Sequence, residues 1–121
     1  MKAIAYHIDP KDKELLILAN YKKHDITVIS NSLATDTIGF AAGKEALIVF
    51  NDDPIESSII EGLKALGVKY IVSSSLDCRN IDLIAVKMAG LEFACIPFDG
   101  TWDLERMQLV IAAIDKWAVK K

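Results

Sequence analysis

A chain of 121 residues is about the size of one ordinary domain and can bury a core without help from disulfides or metals. Its composition, 52% hydrophobic and 26% charged, is that of a globular protein, and a formal net charge of -3 gives no electrostatic reason for nucleic acid or an anionic membrane as a partner. The opening MKAIAYHIDPKDKE has no apolar stretch of a secretory signal, and no apolar run reaches the roughly 20 residues that span a bilayer, so the expected location is the cytoplasm.

Five short apolar runs alternate with five amphipathic stretches, the pattern of a parallel sheet covered by helices on both faces. The first strand is predicted over residues 3–8, followed at Pro10 by a helix to about Lys23 with apolar residues at Leu15, Leu16, Leu18, Ala19 and Tyr21. The second strand is predicted over 26–30 and the third over 46–50. Asn51-Asp52-Asp53-Pro54 then reads as a turn in which Asp53 caps a helix and Pro54 takes its first position. Gly67 closes that helix before a fourth strand over 70–73. Asn80 is read as the cap of IDLIAVKMA, with Asp82 in the first turn and Gly90 at the end, and the fifth strand covers 93–97. The implied fold is a single flavodoxin-like three-layer α/β/α sandwich over residues 1–121, its five parallel strands in the order 2-1-3-4-5.

The last helix, residues 102–121, places Met107, Val110, Ile111, Ala113, Ile114, Trp117 and Ala118 along an apolar arc of roughly 160°, wider than the ~100° stripe that one sheet face requires. Packing of Trp102 and Trp117 on the sheet is the simpler reading, and a homodimer seam along this helix is the alternative. Cys78 and Cys95 have neither metal-type spacing nor a disulfide framework, so both are expected to be packing residues in a reducing compartment.

The polar loop in YIVSSSLDCRNIDL invites a functional reading. Ser73 and the candidate ligand loop, Ser74, Ser75, Leu76, Asp77 and Arg79, with Phe98 after the fifth strand, fall at the carboxyl ends of strands, where such folds place ligands. Asp9, Asp52 and Asp53 fall near the expected topological switch point, where carboxylates suit Mg²⁺ or a receiver-like phospho-acceptor site. Phe98 and Asp99 after Pro97, in place of a lysine, argue against a receiver. The helix-cap reading of Asp53 is the simpler one.

Residues 51–97, NDDPIESSIIEGLKALGVKYIVSSSLDCRNIDLIAVKMAGLEFACIP, resemble the substrate-binding domain of D-isomer-specific 2-hydroxyacid dehydrogenases, the D-lactate dehydrogenases most closely. The resemblance rests on NDD after the third strand, LKALGVKYI into the fourth, N-I-D-L opening the next helix and AGLEFACIP ending the fifth strand. MKAIAYHID and TIGFAAGKEALIVF fit more loosely, and beyond Pro97 the likeness fades.

The resemblance implies an NAD-dependent oxidoreductase in which a separate Rossmann domain holds NAD and supplies arginine, glutamate and histidine. No G-x-G-x-x-G occurs in this chain, so NAD is not expected to bind it alone. His7 and His24 do not lie where the resemblance would put a catalytic base. The loop arginine and glycine that would face a substrate carboxylate correspond to Ser74 and Asp77, the tyrosine after the strand-ending proline to the Phe98-Asp99-Gly100 stretch, and a Glu-His pair to Arg106-Met107. A carboxylate about 4 Å from Asp77 would meet repulsion of about 4 kcal/mol at an effective dielectric of ~20, roughly a thousandfold in affinity, unless Arg79 points inward.

The expectation is therefore a kept fold with a lost dehydrogenase site: a module that binds a small acid or a protein and is inactive alone. Asn80 and Asp82 match the family motif but are explained as helix-start residues. Completion by a separate NAD-binding partner is the competing enzymatic reading. Self-association through the last helix and the face that a second domain would cover is the third.

Overall fold

The computed structural model describes residues 1–50, 54–74, 78–97 and 102–119. Its elements in chain order are β1 (Lys2–Tyr6), α1 (Pro10–Asn20), β2 (Asp25–Val28), a short 3₁₀ helix (Ile38–Ala41), β3 (Ala46–Val49), α2 (Ser57–Ala65), β4 (Tyr70–Ser73), α3 (Leu83–Met88), β5 (Glu92–Cys95) and α4 (Leu104–Val119). The strands form one parallel sheet in the order β2-β1-β3-β4-β5, as the sequence implies.

The central strands are apolar on both sides because both of their faces are covered. Ala3, Ala5, Ala46, Ile48 and Val72 point towards α1 and α4, whereas Ile4, Leu47, Val49 and Ile71, the alternate residues, point towards Ile60 and Leu63 of α2 and Val86 of α3. The edge strands DITV and EFAC carry a charged first residue and are only partly buried. Burial on the first face comes chiefly from α4, whose Met107, Val110, Ile111, Ile114 and Trp117 are buried. Trp117 stacks on Tyr70 with ring centroids 4.9 Å apart, and Trp102 meets Phe50 edge-on at 5.1 Å. The wide apolar arc is thus largely core, and the packing reading of the two tryptophans holds.

Both short helices on the second face end in the same way. Gly67 at φ 104° and Gly90 at φ 77° take the left-handed conformation that glycine adopts without a Cβ penalty. The Gly67 N–H then donates to Lys64 O and Val68 N–H to Leu63 O, while Gly90 N–H donates to Lys87 O and Leu91 N–H to Val86 O. These paired bonds satisfy carbonyls that a helix end would otherwise leave open, and they turn the chain directly into β4 and β5.

Several local expectations are corrected. The stretch between β2 and β3 forms only the 3₁₀ turn, so there are four α-helices among the described residues rather than five. Pro54 does not begin α2, because Ile55 is held extended in a parallel bridge to Ile81, donating to Asn80 O at 2.8 Å and accepting from Asp82 N–H at 3.1 Å. The helix starts three residues after Pro54, at Ser57 behind Glu56. The same bridge removes Asn80 from the cap of α3. Asp82 is the cap, its Oδ1 accepting from Ala85 N–H at 3.0 Å.

The cysteines correct the sequence reading most sharply. Cys78 and Cys95 are joined in a disulfide, with Cα atoms 6.2 Å apart. Their separation of 17 residues carries no framework signal, but the β4–β5 register sets Ser73 opposite Cys95, and the Cys78 sulfur lies 3.7 Å from Ser73 O, which brings the two cysteines within reach of each other.

Candidate functional site at the carboxyl edge

The last paired residues of β1, β3, β4 and β5 form one row, Tyr6, Val49, Ser73 and Cys95, so the segments that follow rise from a common edge. Ser73 is completely buried, and its hydroxyl has no hydrogen-bond partner among the described residues. Ser74 is equally buried but fully engaged. Its N–H donates to Val49 O at 2.8 Å and its hydroxyl to Ile96 O at 3.0 Å, which ties the exits of β3, β4 and β5 together.

Of the candidate ligand loop, Ser75, Leu76, Asp77 and Phe98 lie outside the described residues, as do Asp52 and Asp53. Arg79 is exposed beyond Cys78. Cys78 itself is buried at φ 59°, a left-handed conformation that non-glycine residues seldom take, with its sulfur 3.7 Å from Ser73 O. Cys95, its covalent partner, is exposed on the edge strand.

At the exit of β5 the Arg106 guanidinium donates to Pro97 O at 2.8 Å, and the Asp103 carboxylate caps α4 by accepting from Arg106 N–H at 2.9 Å. Met107 is fully buried in the core. The two positions that correspond to a Glu-His pair therefore hold, respectively, a tie between α4 and β5 and a packing residue.

The exit of β1 carries a feature that the sequence reading set aside. His7 has φ 58°, donates from its N–H to Asn31 O at 2.9 Å, and places its ring Nδ1 3.0 Å from Ser32 Oγ. Tyr6 beneath it donates to Thr37 O at 2.7 Å, and burial pushes its phenol up to about 12. Asp9 is the cap of α1, its Oδ1 accepting from Lys11 N–H at 3.1 Å, and burial also raises the carboxyl of Asp12 in the first turn. Among the described residues no group of three histidine, cysteine, aspartate or glutamate side chains is arranged to hold a metal ion. His24 lies at the opposite edge, its Nε2 2.7 Å from Asp115 Oδ1. Neither the Ser32–His7 contact nor the disulfide is visible as a sequence motif, because each joins residues brought together only by strand order.

No family model matches the chain. Against individual proteins, it is 32% identical over 98 residues to D-lactate dehydrogenase of Escherichia coli, a match covering 80% of this chain and 30% of that protein. It is 28% identical over 88 residues to a D-specific alpha-keto acid dehydrogenase of Enterococcus faecalis, covering 71% of this chain and 27% of the relative. The apo-structure of the Escherichia coli D-lactate dehydrogenase superposes with a TM-score of 0.75 and 31% identity over 81% of this chain and 31% of that one. The chain thus spans about 30% of the length of the relatives it matches.

Proposed function

We propose that this chain, a relative of part of the D-lactate and D-isomer-specific 2-hydroxyacid dehydrogenases, is a binding domain that performs no hydride transfer by itself. One observation carries the reading: Arg106 and Met107, which stand where the resemblance places a Glu-His pair, are engaged with Pro97 O and the core. A methionine buried on the sheet cannot exchange protons with a substrate, and the fold depends on it staying buried. The ligand class that best suits the carboxyl edge is a small 2-oxo or 2-hydroxy acid, with exposed Arg79 as the cation to offset Asp77.

The test combines turnover with thermal unfolding. Pyruvate and longer 2-oxo acids with NADH should give no oxidation of NADH. An acid at about 100 times its dissociation constant should add about 2.7 kcal/mol and raise the unfolding midpoint by several degrees, while NADH alone leaves it in place. Turnover by the isolated chain would overturn the non-catalytic reading, and no shift with any acid would overturn the ligand class.

A second reading has its own support in length. The relatives are roughly three times as long as the aligned part, so an oxidoreductase completed by a separate NAD-binding protein is the enzymatic alternative. It requires NADH oxidation to appear when that protein is added. A homodimer through α4 would rest on exposed Leu109 and Val119 beside Phe93 and Ala94, and light scattering that finds a monomer at high concentration would sink it.

A further inference from the structure

We propose that the Cys78–Cys95 disulfide is a thiol-exchange site, attacked at Cys95 by low-molecular-weight thiols of the glutathione class, and that its reduction loosens residues 78–82 ahead of α3. This inference holds whether or not an acid binds at the carboxyl edge.

The two sulfurs differ in access. Exchange requires the attacking thiolate to approach one sulfur in line with the S–S bond, and of the two residues only Cys95 is exposed, at the end of an edge strand beside which no further strand lies among the described residues. Cys78 is 3% exposed and closed off by the core. The external thiolate therefore bonds to Cys95 Sγ, the bond between the cysteines breaks, and Cys78 leaves with the electron pair. The departing sulfur takes up a proton, since burial disfavours the thiolate, and the new S–H lies beside Ser73 O. A second small thiol then attacks the mixed disulfide. In total, two small thiols are oxidised to their disulfide and the protein disulfide is reduced to two thiols.

The structural consequence follows from how residues 78–82 are held. On one side the Ile55–Ile81 bridge ties them to the chain entering α2, and on the other the disulfide ties them to β5. Cys78 keeps its left-handed backbone under these two ties. Removing the covalent tie takes away the hold of β5 on this stretch while the bridge and the Asp82 cap remain, so Cys78 can leave that conformation more readily.

The experiment equilibrates the full chain in glutathione buffers of graded reduced-to-oxidised ratio, quenches with an alkylating agent, and reads intact mass, site of modification and amide exchange. We expect no alkylation of the oxidised protein, a mixed disulfide at Cys95 at intermediate ratios, and two thiols in a still folded protein at reducing ratios. Amides of residues 78–82 should then exchange at least tenfold faster, with those of β1 and β3 unchanged. Cys78→Ser should take up glutathione at Cys95, and the remaining thiol of Cys95→Ser should react at least tenfold more slowly. Two free thiols in the oxidised protein, glutathione found on Cys78, a bond that yields only on unfolding, or unchanged exchange at 78–82 would each overturn the proposal. The wild-type chain supplies these readouts even if a serine variant fails to fold.

Discussion

The two edges of the sheet are fastened by different chemistry. At the amino edge, Asn20 brackets His24 by donating to its carbonyl at 2.8 Å and accepting from its N–H at 3.0 Å. The buried His24 ring reaches Asp115 of α4, which also faces Lys23 at 3.4 Å. At the carboxyl edge the ties are a disulfide, hydroxyl and guanidinium donors on backbone carbonyls, and two non-glycine residues, His7 and Cys78, with positive φ. Positive φ does not separate the edges, since Tyr21 at 46° and Lys22 at 60° take it at the first as well. What separates them is the fastening: paired side chains hold the first edge, whereas a covalent bond and donors on backbone carbonyls hold the second, where α/β folds place their ligands.

Perturbing each edge in turn should separate the two kinds of fastening. The largest effect is expected from reducing the disulfide. Closing a ring across 17 residues constrains the unfolded chain by about 3 kcal/mol, so denaturant titration with and without a strong reductant should differ by about that amount and the thermal midpoint by about 10 °C. Equal stability in the two states would mean that the bond gives no net constraint on the unfolded chain.

The next effect belongs to the amino edge. Asp115→Ala leaves the nearly buried His24 ring without its acceptor and should cost about 2 kcal/mol in urea unfolding. Because Asp115 and the disulfide share no residue among the ties described, this loss should add to that of reduction, and a double perturbation far from the sum would show that the edges are coupled.

The smallest effect distinguishes adjacent serines. Ser74→Ala removes the donor to Ile96 O and should cost about 1 kcal/mol. Ser73→Ala removes a buried hydroxyl with no partner among the described residues, so it should be neutral or stabilising. Chemical denaturation of both variants decides, and an equal loss at Ser73 would reveal a bond at that hydroxyl.

Strand order and the existence of four helices were legible because Ala-Ile-Ala-Tyr and Ala-Leu-Ile-Val are apolar on both faces and Gly67 and Gly90 mark helix ends. The start of α2 was not. Pro54 carries the local signal of a first helical residue, and a bridge between Ile55 and a residue 26 positions away overrides it. The cap of α3 moved from Asn80 to Asp82 for the same reason: both residue types cap well, and the bridge decides between them. Long-range pairing also hid the disulfide and the Ser32–His7 contact. The candidate loop was suggested by polar residues at strand exits and lies mostly outside the described residues, whereas the burial of Ser74 and the engagement of Arg106 needed the fold.

The disulfide also makes the chain a ring with two tails. Everything between Cys78 and Cys95, the whole of α3 included, lies inside a covalent loop. A chain drawn out by its ends, through a pore or against an unfolding machine, would stop short by the length of that loop, roughly 50 Å, and would have to thread a doubled strand in place of a single one. Oxidised and reduced forms of the same sequence therefore differ in contour length and in the width of passage they require, even after every helix and strand has come apart.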